Sequence, residues 1–286
     1  MNSGSVSLGL VGGGIARSLT PAMQEREGRE QGLALTYRLV DAERPGGRGF
    51  GVDDLGEVLA WAERFGLDGL NVTHPFKQAV VPLLDDLSEA AADLGAVNTV
   101  VLRNGRRVGH NTDTTGYAAA LAAGLPDAPR DRVVLVGAGG AGVAVGYGLL
   151  AEGVGRLGVH DVDADRAHAC AVRLSKRFGD DAVEVVTDLP GALAAADGLV
   201  NATPVGMHGH DGLPVPAELV REGLWVSDVV YFPLETELVA LARSRGCRVL
   251  PGGAMAVQQA VGAFELFTGR PADAERMQRH FRELTA

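Results

Sequence analysis

The sequence has two cysteines, 5% aromatic residues and no apolar run near the roughly 20 residues that a membrane-spanning helix requires. Each shortage excludes something. Cys170 and Cys247 form no CxxC pair and supply no disulfide framework; both fall in apolar helix-like or strand-like contexts and read as buried thiols. Basic blocks are missing too: 26 Lys+Arg stand against 36 Asp+Glu, a net charge of −10, so nucleic acid is not expected as a partner. An anionic substrate must then be captured by local groups, not by the overall field. Met1 to Ser7 has neither the basic nor the apolar region of a secretory leader, and a cytoplasmic location is expected. His208-Gly-His210-Asp211 lacks a matching helix or cysteine partner, so no metal is expected.

Glycine is what the chain has in excess, 40 of 286 residues, without collagen periodicity and scattered among apolar runs where tight turns and close backbone approaches call for it. With 46% hydrophobic residues, the length is comfortable for two domains. Strand patterns fall at Val6–Val11, Leu33–Val40, Gly69–Val72, Val133–Val136, Leu157–His160, Val183–Val186, Gly198–Ala202, Trp225–Val230 and Arg248–Leu250. Helical patterns at Asp54–Phe65, Ala141–Ala151, Ala164–Phe178 and Glu235–Arg245 lie between them, the alternation of βαβ units and a parallel sheet. Thr99–Arg103 and Arg106–His110 flank Asn104-Gly105, a hairpin signal. Trp61 and Trp225 read as core or interface. The expected fold is α/β: an N-terminal domain over 1–117, completed by 252–286 through the apolar helix Ala254–Thr268, and a nucleotide-binding domain over 118–251.

Val133-Val-Leu-Val-Gly137-Ala-Gly139-Gly140-Ala141-Gly142 places a GxGxxG between a buried-strand run and a helix. Glycine-rich turns are common; the flanking context gives this one its meaning. Gly137 permits the tight turn, Gly139 the close approach of a pyrophosphate, and Gly142 the close packing of helix on strand. The amides at the helix start, around Gly140 and Ala141, would face the phosphates. The next strand ends at Asp161, 19 residues after Gly142. An acidic side chain there accepts hydrogen bonds from the adenosine ribose of NAD and repels the 2′-phosphate of NADP, so NAD is the expected cofactor. Arg166 nearby either helps hold a 2′-phosphate or stacks beside the adenine.

Three polar clusters end strands of the N-terminal half: Arg17-Ser18-Leu-Thr20-Pro21, Asn71-Val-Thr73-His74-Pro75-Phe-Lys77, and Val97-Asn98-Thr99 with Gly109-His-Asn111-Thr-Asp113. Carboxyl ends of parallel strands are where α/β proteins bind ligands. The hydroxyls of Ser18, Thr20 and Thr73 and the amide of Asn98 suit a ligand bearing several hydroxyl groups. Oxidising one of those hydroxyls needs a proton acceptor, for which Lys77 and Asp113 are candidates, singly or as a pair. Ser18 or Thr20 also reads as a helix cap, and Asn111–Asp113 as a turn and cap.

These residues resemble the shikimate and quinate dehydrogenases over nearly the whole chain. Besides the blocks above, Gly95-Ala-Val-Asn-Thr99, Asn201-Ala-Thr-Pro-Val-Gly-Met207, Asp228-Val-Val-Tyr-Phe-Pro233 and Met255-Ala-Val-Gln-Gln259-Ala look like family blocks. The resemblance implies a Lys77–Asp113 catalytic dyad. It implies acid-binding roles for Ser18, Thr20, Thr73, Asn98, Asn111, Tyr231 and Gln259 in a cleft between the domains. Thr203, Pro204, Gly206, Met207, Val230, Gly253 and Met255 would lie against the nicotinamide half of the cofactor. Ser18-Leu-Thr20 departs from the Ser-x-Ser of biosynthetic enzymes and resembles the actinobacterial-type, NAD-dependent quinate/shikimate dehydrogenases. Gly12-Gly-Gly14 and Arg17 replace the family's usual proline and histidine. The expected activity is reversible, NAD-dependent oxidation of quinate and/or shikimate at a ring hydroxyl, with quinate favoured, by a monomer or homodimer. The alternatives are an NADP-dependent biosynthetic shikimate dehydrogenase, an aminoshikimate-type relative, or a dinucleotide sensor without turnover.

Overall fold

The computed structural model describes residues 5–44, 47 and 49–285; the first four residues, part of the stretch read for a leader, lie outside the described residues. The chain divides into two compact units, one running through Thr112 and resuming at Gln259, the other Asp113–Gln258. Each is built on one six-stranded sheet among the described residues, an α/β architecture as expected.

In chain order the first unit contributes β1 (Ser5–Gly12), α1 (Thr20–Glu30), β2 (Ala34–Asp41), α2 (Leu55–Arg64), β3 (Gly69–Val72), β4 (Asp86–Leu87), α3 (Glu89–Leu94), β5 (Thr99–Arg103) and β6 (Arg106–His110). The sheet order is β2-β1-β3-β5-β6-β4, with β1, β2 and β3 parallel and β5 antiparallel to both β3 and β6. The hairpin falls where it was read, with Asn104 and Gly105 at φ 54° and 70°, the left-handed pair that a two-residue turn needs. Strand alternation puts Leu8, Leu10 and Val101 on one face, and Val11, Val100 and Leu102 on the other against Leu55 and Leu59 of α2.

The second unit contains α4 (Thr112–Gly124, its first residue in the other unit), β7 (Arg132–Val136), α5 (Gly140–Ala151), β8 (Arg156–His160), α6 (Ala164–Phe178), β9 (Val183–Val185), α7 (Leu189–Ala194), β10 (Gly198–Asn201), β11 (Trp225–Asp228), α8 (Glu237–Ser244) and β12 (Arg248–Leu250). Its sheet is parallel throughout, in the order β12-β11-β10-β7-β8-β9. That is the arrangement of dinucleotide-binding folds, whose order reverses between β7 and β10. Helix α9 (Gly252–Thr268) begins in this unit and ends in the first, where its Phe264 and Phe267 pack with Leu8, Leu10 and Leu35. Helix α10 (Ala274–Thr285) closes the chain and is tied to α1 by the Arg276 guanidinium on the fully buried Glu27 carboxylate, 2.6 Å.

Several expectations are corrected. Strands β10 and β11 stop one and two residues short of the apolar patterns. Asn201 accepts the Thr203 amide (3.0 Å) and Asp228 accepts the Val230 amide (3.0 Å), so polar side chains replace the next ladder partners. Two-residue β4 and six-residue α3 and α7 are too short to show a period, and charged α10 buries only Met277, His280 and Phe281. Trp225 is core, its indole N–H donating to the Pro129 carbonyl at 2.8 Å. Trp61 is not core: it is 46% exposed, stacked on Phe65. Both cysteines are buried, and burial pushes the Cys170 thiol up to about 12. No helix among the described residues is long and apolar enough to cross a membrane.

Candidate active site

In the first unit, three loops gather at the carboxyl ends of β1 and β3 and the adjoining end of the hairpin. The loop after β1 is held by Asp41 at the end of β2, whose carboxylate accepts the Gly14 (2.9 Å), Ile15 (3.2 Å) and Glu43 (3.0 Å) amides. Its Gly13 amide donates to the His74 carbonyl (2.9 Å), and a side chain at Gly12 would overlap the Thr73 methyl. The β1 and β3 loops are thereby forced together. Thr73 donates its amide to the Val11 carbonyl, 2.9 Å, and half-buried Lys77 accepts the Val97 amide at its carbonyl, 2.8 Å. Lys77 thus stands beside the segment carrying Asn98.

Asn98 and Asn71, both buried, are used differently. Asn98 Oδ1 accepts the Thr112 amide (2.7 Å), the Thr112 hydroxyl (3.1 Å) and the Thr99 hydroxyl (3.0 Å). A backbone N–H can only donate, so the amide orientation is fixed and Nδ2 is left, without a partner among the described residues, as the open polar atom. Asn71 has no such atom: Nδ2 donates to the Asn98 carbonyl (3.2 Å) and Thr99 Oγ1 (2.9 Å), and Oδ1 accepts the Tyr37 hydroxyl (2.6 Å). Burial pushes the Tyr37 phenol well up, so it stays a neutral donor. Asn111 donates to the Ala96 carbonyl at 3.0 Å, and buried Asp113 lies in the first turn of α4.

Ser18 and Thr20 bond one another, Oγ to Oγ1 at 3.2 Å, and the Thr20 amide donates to Ser18 Oγ at 3.3 Å. The cap position of α1 is Leu19, without a side-chain cap bond, and it is the Ser18 hydroxyl, one residue earlier, that accepts the first amide of the helix. Arg17 is exposed, and Gln259 is half-buried on α9.

In the second unit, Gly137 has φ 101°, and a Cβ there would meet the Ala202 carbonyl carbon at 2.7 Å, so the turn after β7 requires glycine and touches the loop after β10. A Cβ on Gly142 would overlap the Gly137 carbonyl oxygen, which brings α5 close to the turn. Nothing lies within 4 Å of a Cβ at Gly139 or Gly140, so the chain is uncovered there at the start of α5. Asp161 Oδ2 accepts the Ala138 amide of that turn (2.8 Å), and Oδ1 accepts the Asp163 amide (2.9 Å) and pairs with Arg166 (3.1 Å). Burial raises the Asp161 carboxyl, but these two amides and the guanidinium outweigh it and hold it below the usual carboxylate range. The residues therefore fit a dinucleotide: glycine turn, open helix start and ionised carboxylate lie together at the carboxyl ends of two neighbouring parallel strands, β7 and β8.

The loops after β10 and β11 hold the remaining candidates. Thr203 Oγ1 donates to Asn201 Oδ1, 2.7 Å, and accepts the Val205 amide, 3.1 Å. Pro204, Met207 and Tyr231 are exposed, Gly206 has φ 95°, and the His208 amide donates to the Phe232 carbonyl at 3.2 Å. Gly253 and Met255 lie in the first turns of α9, where a Cβ on Gly252 would overlap the Val229 and Val230 carbonyls. Sequence reasoning missed Tyr37, Asp228 and Thr236 as supports; only the Asp228–Pro233 block hinted at one of them.

Comparison with known proteins places this architecture. Residues 10–100 match the model of the shikimate dehydrogenase substrate binding domain, and residues 254–280 that of the shikimate 5′-dehydrogenase C-terminal domain. The chain is 55% identical to a shikimate dehydrogenase (NADP(+)) of Pseudarthrobacter chlorophenolicus, over 99% of this chain and 96% of that one. It is 51% identical to a quinate/shikimate dehydrogenase (NAD(+)) of Corynebacterium efficiens, over 99% and 100%. Among solved structures, quinate dehydrogenase from Corynebacterium glutamicum in complex with NAD superposes with a TM-score of 0.93 at 48% identity, covering 98% of this chain and 99% of that chain.

Proposed function

The chain belongs to the shikimate dehydrogenase family, and from that premise we propose that it oxidises a ring hydroxyl of quinate or shikimate to the 3-dehydro ketone, reversibly, with NAD. The seating of Asp161 carries the cofactor reading: its carboxylate is held ionised at the end of β8, an acceptor for ribose hydroxyls and a repulsive neighbour for a 2′-phosphate. Gly137, Gly139, Gly140, Ala141 and Gly142 would hold the pyrophosphate. Thr203, Pro204, Gly206, Met207, Val230, Gly253 and Met255 would flank the nicotinamide. When bound, NAD supplies the hydride acceptor.

The chain's own residues do the rest. Lys77 takes the hydroxyl proton at Nζ and Asp113 orients it. Ser18, Thr20, Thr73, Asn111, Tyr231 and Gln259 hold the acid. Asn98 presents Nδ2 alone and so donates to a hydroxyl oxygen of the ring. Residues 1–117 with 252–286 form the acid-binding part in this reading and 118–251 the dinucleotide part. A cytoplasmic location and a monomeric or homodimeric state go with it.

One observation favours NADP instead: Arg166, half exposed, bridges Asp161 and Asp163 (3.1 and 3.2 Å) and is long enough to reach a 2′-phosphate. Initial rates with each acid and each cofactor decide. Turnover with NAD, with quinate at least comparable to shikimate, supports the reading. A preference for shikimate with NADP moves the chain to the biosynthetic class, and no turnover in any combination sinks the assignment.

A further inference from the structure

Asp228 is a buried carboxylate that the reaction does not use. It ends β11, in register with Asn201 at the end of β10, and both are essentially inaccessible. Its Oδ1 accepts the Asn201 Nδ2 (2.9 Å) and the Val230 amide (3.0 Å), and its Oδ2 accepts the Thr236 hydroxyl (2.6 Å). Each donor leads to a different segment. Asn201 also binds the Val205 carbonyl (3.1 Å), the Thr203 amide (3.0 Å) and the Thr203 hydroxyl (2.7 Å), which fixes the loop after β10. Val230 lies in the loop after β11, on whose Val229 and Val230 carbonyls the start of α9 packs through Gly252. Thr236 caps α8 by accepting the Val239 amide at 3.2 Å, and its side chain lies 3.3 Å from where a Gly206 Cβ would be.

We propose that Asp228 is a positioning residue for the cofactor half of the reaction, locking the loops after β10 and β11 into one preformed wall on the nicotinamide side. The inference rests on the reading that these loops flank the nicotinamide. A buried carboxylate suits this task because one small group accepts three donors from three segments, which no apolar side chain of that size can do. Its burial pushes the carboxyl above the usual range, with burial outweighing the three donors. Its partners are all neutral, so the carboxylate is tolerated there for what it organises.

The test compares two ligands, NAD+ and ADP-ribose, which lacks the nicotinamide, by direct binding to the whole protein. In Asp228→Ala the Kd for NAD+ should rise about fivefold or more while that for ADP-ribose stays within about twofold, the size of effect expected when a hydrogen-bonded support is lost. Asp228→Asn should restore NAD+ binding, since its Oδ1 still accepts from Asn201 and Val230 and its Nδ2 can donate to Thr236 Oγ1. Should the alanine variant fail to fold, Thr236→Val replaces it, with Thr236→Ser as the restoring partner. An equal rise for both ligands, or no rise for either, overturns the proposal while leaving the function intact. A natural enzyme that does not bind NAD+ overturns both.

Discussion

The loops of the two units are braced with a different balance of neutral and charged groups. Around Asn98 the bracing groups are neutral: Tyr37, Asn71, Thr99 and Thr112 exchange hydrogen bonds among themselves, and Asn98 keeps an N–H in reserve. In the second unit the neutral Asn201 is joined by two carboxylate hubs, Asp161 and Asp228, each collecting N–H or O–H donors. The loop after β1 has a carboxylate hub too, Asp41, and both its oxygens are occupied by the Gly14, Ile15 and Glu43 amides. The contrast matches what each side is proposed to hold. A ring carboxylate in a protein of net charge −10 needs donors and neutral surroundings, whereas ribose hydroxyls need acceptors.

The largest break in this comparison is at the chemistry itself. Lys77→Ala should lower turnover by about 10²–10⁴-fold, the range for a general base, with NAD+ binding nearly unchanged. Equal loss of NAD+ binding would instead give Lys77 a structural role.

A pair of substitutions separates the two asparagines. Asn98→Asp keeps every accepted hydrogen bond but turns the open donor into an anion, so the KM for the acid should rise about tenfold or more with little change in Tm. Asn71→Asp sets an oxygen against the Asn98 carbonyl and Thr99 Oγ1, so it should cost about 1–3 kcal/mol and lower Tm by several degrees. If both variants shift Tm and KM alike, the distinction between ligand and frame is wrong.

On the cofactor side, Asp161→Ala should reduce the NAD-to-NADP preference about tenfold by removing both the acceptor and the repulsion. Because the Asp161 carboxyl is held low and a phosphate monoester is fully charged above about pH 7, that preference in the natural enzyme should stay flat from about pH 7 to 9. A preference that climbs over that range would assign the discrimination to another group.

The smallest effect concerns Asp228. A carboxyl raised in the folded state favours folding below the ordinary carboxylate range and loses that contribution as pH rises through its folded value. The Tm difference between Asp228→Asn and the natural protein should therefore move in the variant's favour, by about 2–4 °C for each kcal/mol relieved, as pH rises from about 4 to 7. A difference independent of pH would mean that the carboxyl is not raised.

Much of this was written in local sequence. Strand and helix patterns, the Asn104-Gly105 hairpin and the glycine turn after β7 were all legible, because periodicity and left-handed glycine conformations are properties of neighbouring residues. Short β4, α3 and α7 were not, having no room for a period, and the apolar patterns overran β10 and β11 because Asn201 and Asp228 divert the backbone donors. Only the tertiary structure decided which polar atoms are consumed by the frame and which are left open. Asn71 and Asn98 are the same residue type, each within a conspicuous block. What tells them apart is Tyr37, 34 positions before Asn71, and Thr112, 14 positions after Asn98. A hydrogen-bonding atom is open or consumed according to partners brought in by the sheet, and nothing adjacent in the chain records that assignment.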